Sequence, residues 1–152
     1  MRQSLFCAAL VAALAAPAFA PTAFAPTAFA GDYADQKVVY HNSGGDEGYF
    51  TRLLGNISNH IEAVGADHVE IVVVDHGNGL DLFEAMENDP KIAKRVAGLR
   101  DKGVRFLICR KTLEAREIDW RTLPGVQEAD IVPSGVAEIA KLEGEGFAYI
   151  HP

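Results

Sequence analysis

The chain has 152 residues, with 14 basic against 21 acidic residues, a formal net charge of −7, and 49% hydrophobic residues. That length builds one domain with a substantial core but not two, and the acidic balance, with no basic stripe carrying interleaved aromatics, argues against nucleic-acid binding. Its two cysteines, Cys7 and Cys109, form no Cys-x-x-Cys pair or metal-type cluster, which argues against structural zinc and against a self-contained dithiol site.

At the start of the chain Arg2 precedes the apolar run LFCAALVAALAA and three Ala-Phe-Ala triplets ending at Ala20, Ala25 and Ala30. This pattern predicts a cleavable export signal over residues 1–30. Pro21 and Pro26 obstruct cleavage after the first two triplets, so the predicted mature chain begins at Gly31 and lies in the periplasm. Losing Arg2 leaves 13 basic against 21 acidic residues, a net charge of −8. The apolar run is too short to span a bilayer and none of the roughly 20 residues required follows it, so no stable membrane insertion is expected. Cys7 departs with the signal, leaving Cys109 alone, and a leftover thiol in an oxidising compartment indicates intermolecular pairing or a free reactive group.

Residues 31–36 read as a flexible leader and 37–152 as a single domain in which strand-length runs alternate with helix-period segments. The predicted strands are KVVYH, HVEIVVVD, VRFLIC, ADIV and FAYI. Between the first two, Phe50, Leu53, Leu54, Ile57, Ile61 and Val64 mark one helical face. LDLFEAM forms a further helical piece, Asp89-Pro90 opens a helix buried through Ile92, Val96 and Leu99, and a short polar helix follows Cys109. Leu123-Pro124-Gly125 is a turn, and Ser134 caps a last helix whose inner face holds Val136 and Ile139. The alternation predicts an α/β domain with a mostly parallel five-stranded sheet covered by helices, and the flavodoxin-like order 2-1-3-4-5 is the prior for it. Right-handed crossovers place every strand end along one edge, and in that order Cys109 and the Asn42-Ser43 loop flank a crevice between strands one and three.

Cysteine reacts as the thiolate, which an ordinary thiol of pKa ~8.5 scarcely populates at neutral pH. Arg110, Lys111 and the start of the following helix favour the anion at Cys109. The alternative is that Cys109 is a small buried hydrophobe, and the two readings stand side by side. The SGGDEG loop lacks the Lys of a phosphate-binding loop and reads as a tight strand-to-helix turn. His41 and His76 close their strands whereas His68 opens its own and cannot join them; a loose metal site at His41, His76 and Asp75 is the lesser reading, and no metal or other cofactor is expected. Asp75-His76 reads as polar lining, with His76 a proton donor or acceptor near Cys109, and no Gly-x-Ser-x-Gly elbow supports a serine hydrolase.

The stretches HNSGG, VVVDHGNGLDLF, GVRFLICRKTLEAR and DIVPSGVAEIAKLEGEGFAYIHP resemble the DsrE/DsrF-like proteins, in particular an exported branch of them, from Lys37 to Pro152. The resemblance implies a three-layer α/β/α fold, homo-oligomerisation and, in members with an assigned role, relay of sulfane sulfur held as a persulfide on a cysteine. Cys109 and Arg116 match that cysteine and the arginine of the helix after it. Glu117 stands where the cytoplasmic relay members have glycine. The expected function is that of a sulfur carrier or sulfurtransferase exchanging sulfur with thiol or sulfane-sulfur partners, Cys109 being the nucleophile. Asn42, Ser43, His76, Arg110, Lys111 and Arg116 line the site. The alternative is a non-catalytic homo-oligomeric binding or assembly protein of the same fold.

Overall fold

A computed structural model describes residues 33–45 and 47–152; the predicted signal segment and Cys7 lie outside the described residues. Five strands, β1 (Gln36–Asn42), β2 (Val69–Asp75), β3 (Arg105–Cys109), β4 (Ile131–Val132) and β5 (Ala148–Ile150), form one all-parallel sheet. Five helices connect them: α1 (Glu47–Val64), α2 (Asp81–Asn88), α3 (Pro90–Arg100), α4 (Arg110–Ala115) and α5 (Gly135–Gly144).

The expected layers form, but the strand order differs. It is β4-β3-β2-β1-β5, so β2 lies between β1 and β3 and the expected crevice between those two strands does not exist. The physical reason is visible in the burial. Ile71, Val72, Val73 and Val74 are all 2% exposed or less, and a strand covered on both faces belongs in the middle of a parallel sheet. The three residues of β5 are exposed or half-buried, as suits an edge.

Right-handed crossovers then fix the layers. From β1 to β4 each step moves in one direction, which puts α1, α2, α3 and α4 on one face. The return from β4 to β5 runs the opposite way and puts α5 on the other. Two cores follow from the pleat. Val38, Tyr40, Ile71, Val73 and Phe106 meet Phe50, Leu53, Leu54 and Ile57 of α1 and Ile92, Val96 and Leu99 of α3. Val39, Val72, Val74, Leu107 and Val132 meet Ile139 and Leu142 of α5. Each fully buried side chain of this size contributes roughly 1.5–3 kcal/mol, so the six-residue stripe of α1 makes it the main cover of its face.

Local signals set the helix ends. The Asp89 carboxylate accepts from the Lys91 N–H at 2.8 Å, with Pro90 in the first turn, and the Ser134 hydroxyl accepts from the Ala137 N–H at 3.4 Å. In α5 the inner face differs from the sequence expectation. Gly135, Ile139 and Leu142 are buried, whereas Val136 is 64% exposed. The stripe follows steps of four and three from Gly135, which rotates Val136 outward.

Helix α4 ends in a Schellman motif: the Ile118 N–H bonds the Leu113 carbonyl at 2.9 Å and the Glu117 N–H the Glu114 carbonyl at 3.3 Å, while Ile118 packs beside Leu113. The motif requires a left-handed residue, and Glu117 occupies it at φ 53°, a conformation that strains a residue with a Cβ. Glu117→Gly is expected to raise stability by about 0.5–1 kcal/mol, measured by urea unfolding; an unchanged or lower midpoint would contradict the strain.

Candidate functional site

The reversal of direction after β4 determines what surrounds Cys109. The connection leaving β3 goes to one face of the sheet and the connection leaving β4 to the other, and such a switch point opens the strand ends between diverging helices. Cys109 is the last residue of β3 and pairs in register with Val132 of β4. It is also the N-cap of α4, in extended conformation, and its side chain points to the α5 face together with Leu107.

The sulfur therefore meets the first turns of two helices. Hydrogen bonds reach it from the N–H of Gly135, the hydroxyl of Thr112, and the N–H groups of Thr112 and Lys111. Burial pushes the Cys109 thiol up, but these hydrogen bonds outweigh it and hold the pKa below the ordinary thiol range. The balance is reasonable, because each hydrogen bond to an anion is worth roughly 1.5–3 kcal/mol. Thr112 is well placed to donate, since its oxygen already accepts from the Gly77 N–H at 2.9 Å. Gly135 is required by the close approach. A Cβ there would lie 3.1 Å from the Cβ of His76, 3.2 Å from that of Cys109 and 3.3 Å from Val74 Cγ1.

Cys109 is only 5% exposed. It is thus a buried thiol, as the packing alternative expects, yet its surroundings are hydrogen-bond donors and a histidine as well as aliphatic groups. A cavity of about 320 Å³ lined by Phe50, Asp81, Glu84, Asn88 and Ile92 lies elsewhere and does not include Cys109.

The residues expected beside Cys109 separate into two groups by the pleat. On the α5 face, successive strands place Cys109, His76, His41 and, from the β5 side, Tyr149 and His151 along the C-terminal edge. His41 and His76 meet through their Nε2 atoms, and His41 Nδ1 lies 2.6 Å from the Tyr149 hydroxyl. Ser43 reaches the same cluster, its hydroxyl 3.2 Å from His151 Nε2. Burial, then the neighbouring His76 and His151, lower His41 to about 4, and His76 is lowered by burial and His151, so both rings are neutral at physiological pH.

Asn42 and Asp75 point to the opposite face. Both are 0% exposed, and the Asn42 amide donates to Asp75 Oδ1 at 2.6 Å and to the Gly79 carbonyl at 3.1 Å. Asn42 therefore supports the strand ends from beneath and does not line the space at Cys109. Burial raises Asp75 to about 7, against the lowering effect of the Asn42 hydrogen bond and of Arg100.

The basic residues are engaged elsewhere. Arg110 is exposed, and the Lys111 ammonium pairs with Glu114 at 2.8 Å, so it is the Lys111 backbone that serves the sulfur. Arg116 pairs with Asp81 at 2.7 Å and donates to the Gly77 carbonyl at 3.1 Å. With Thr112 it grips both polar atoms of Gly77 and fixes the loop that carries His76. Thr112, Gly135, Tyr149 and His151 were not singled out as site residues by the sequence. Among the described residues no three His, Cys, Asp or Glu side chains are grouped to hold a metal ion, and no helix is long and apolar enough to cross a membrane.

Two measurements check these assignments. Thr112→Val removes a hydroxyl donor to the anion, so the pH midpoint for alkylation of Cys109 should move upward and the rate at pH 7 should fall severalfold, with Thr112→Ser close to wild type; coincident profiles would remove Thr112 from the site. For Asp75, the folded chain keeps a proton that the unfolded chain, with an ordinary value of 3.8, has released. Its contribution to stability is full below about 4 and is lost as pH rises to about 7. His41, depressed to about 4, acts in the opposite sense over the same window. The Asp75 contribution is therefore read as wild type against Asp75→Asn, whose stability should lack this decline between pH 4 and 7; parallel curves would contradict the raised value.

The comparisons agree with this architecture. A solved structure titled a protein of unknown function, MTH1491, from Methanobacterium thermoautotrophicum is 34% identical, with a TM-score of 0.67, covering 78% of this chain and all of that one. No curated protein matches the chain. The match to the family described as DsrE/DsrF-like runs over residues 9–152, and the chain belongs to that family.

Proposed function

We propose that this chain is a sulfur carrier that holds sulfane sulfur as a persulfide on Cys109. The observation that carries the reading is the set of donors directed at one sulfur: three backbone N–H groups from two helix starts and the Thr112 hydroxyl. They favour the thiolate that attacks a sulfane sulfur, and a terminal persulfide anion would call on the same donors. Family membership supports a role related to sulfur relay. In the reaction the Cys109 thiolate forms a bond to the outer sulfur of thiosulfate while the sulfur–sulfur bond of the donor breaks, sulfite leaves with the electron pair, and Cys109 is left as a persulfide anion. A thiol acceptor then takes that sulfur. His76, on the same sheet face, handles protons, and Arg116 holds the loop that carries it.

The export signal over residues 1–30, the leader over 31–36, the single domain over 37–152, periplasmic location and assembly into a homo-oligomer belong to the same proposal. The leader's last residue, Gln36, already stands in β1. The low exposure of Cys109, 5%, favours the second reading, a non-catalytic homo-oligomeric binding or assembly protein in which the thiol only packs.

Mass spectrometry after incubation with thiosulfate or polysulfide should show one added sulfur on the wild type and none on Cys109→Ser. Equal labelling, or none on either, would count against the carrier. A native thiol that resists a small alkylating reagent until the chain is denatured would favour the packing role.

A further inference from the structure

The histidines beside Cys109 are more tightly organised than a lining requires. His41 and His76 lie on adjacent strands, project from the same face, and have ring planes 15° apart with centroids separated by 4.6 Å. Together with the contact between their Nε2 atoms, that separation sets the rings edge to edge in nearly one plane instead of face to face. This is the geometry of a hydrogen bond between imidazoles, in which one Nε2 donates and the other accepts. At the other side of His41, Nδ1 engages the Tyr149 hydroxyl at 2.6 Å, and Tyr149 is 45% exposed. His76 stands at the opposite end, its Cβ and that of Cys109 both facing the position where a side chain on Gly135 would begin. A continuous hydrogen-bonded path thus leads from solvent, through Tyr149 and His41, to His76, whose Cβ flanks the Gly135 position together with that of Cys109.

We propose that Tyr149, His41 and His76 form a proton relay that delivers a proton from solvent to the sulfur expelled during attack by Cys109, a step that rests on the thiol-exchange reading of this site. When the thiolate attacks a persulfide or disulfide donor, a bond forms between Cys109 and one donor sulfur. The donor's sulfur–sulfur bond breaks and its electron pair departs with a thiolate, which in a buried site needs a proton. His76 gives that proton from Nδ1 as its Nε2 receives one from His41 Nε2. His41 Nδ1 takes the Tyr149 proton, and water restores the phenol. One proton passes from solvent to the leaving thiol, and the imidazoles exchange tautomers without either becoming a cation. That property matters because His41, His76 and His151 crowd together, and a positive charge on any of them would face the others.

The other groups around the path do not duplicate it. His151 touches Ser43 and lies beside His41 with ring centroids 5.0 Å apart, and Tyr49 of α1 donates to the His41 carbonyl at 3.4 Å. Asp75 is on the far face of the sheet.

Two small reagents that transfer the same CH3S group to Cys109 isolate the proton step. Methyl methanethiosulfonate expels methanesulfinate, which leaves as a stable anion; dimethyl disulfide expels methanethiolate, which needs a proton. Full-length His41→Gln should slow the disulfide reaction by on the order of 100-fold and Tyr149→Phe by about tenfold, and neither should alter the thiosulfonate reaction. Glutamine keeps a donor and an acceptor at position 41 but cannot pass a proton through a ring, and the exposure of Tyr149 makes its variant safe for folding. In the wild type the disulfide reaction alone should show a solvent isotope effect. Equal slowing with both reagents, no slowing with either, or a wild-type thiol inert to both would overturn the relay. A wild type that accepts CH3S but never sulfane sulfur would instead sink the carrier reading alone.

Discussion

The change of direction between β3 and β4 is the constraint on which the site depends. Had β5 continued the series beyond β4, every helix would cover one face and a single helix start would adjoin each strand end. Because the chain turns back to pair β5 with β1, α4 and α5 begin on opposite sides of adjacent strands, and a residue closing β3 receives N–H groups from both. Right-handed crossover geometry makes this an outcome of topology. Partial positive charge is concentrated at Cys109 by backbone N–H groups and the Thr112 hydroxyl, with no cationic side chain among the groups that lower its pKa.

The pleat makes the second division. Alternate residues at the ends of β1 and β2 point to opposite faces, so His41 and His76 share the thiol's side while Asn42 and Asp75 form a buried polar pair beneath them. The two layers behave differently. Beneath the sheet, the Asn42 amide ties the end of β1 to Asp75 at the end of β2 and to the Gly79 carbonyl beyond it. Above it, neutral imidazoles adjoin a thiol that burial opposes and hydrogen bonds favour as the anion. Since β2 separates β1 from β3, His76 is the necessary intermediary between His41 and Cys109, which the order 2-1-3-4-5 would have excluded.

Much of the fold was legible because hydrophobic period and turn chemistry act locally. The stripe from Phe50 to Val64, the Asp89-Pro90 start and the Ser134 cap all appear where the spacing put them. The strand order was not legible from the alternation alone, since both orders satisfy right-handed crossovers. A signal was nevertheless present: Ile71 to Val74 of HVEIVVVD are four consecutive β-branched aliphatic residues, the mark of a strand covered on both faces. Cys109 could be located by its place between an apolar run and a polar helix. Its donors could not, because Gly135 and Thr112 reach it through a return connection that no local spacing encodes. Val136 was misassigned because a step of three to Ile139 is as good a helical neighbour as a step of four from Gly135, and only packing against the sheet chooses between them.

The distinction between charge and backbone bears on how a buried thiol remains chemically distinct from a packed one. A cationic side chain at Arg110 or Lys111 lies in water, where screening weakens it and where Glu114 already competes for Lys111. An N–H group at the first turn of a packed helix has no such competitor and loses nothing to side-chain entropy when it turns toward the sulfur. Gly135 removes the one Cβ that would separate α5 from Cys109 and His76, and Arg116 and Thr112 hold Gly77 so that His76 keeps its place. The sequence features that looked most like electrostatic activation are thus peripheral, while Gly135, Thr112 and the start of α4 place the donors that favour the thiolate. Low exposure then works with the same donors: the thiolate they favour would be shielded from water and hydrogen-bonded by the fold.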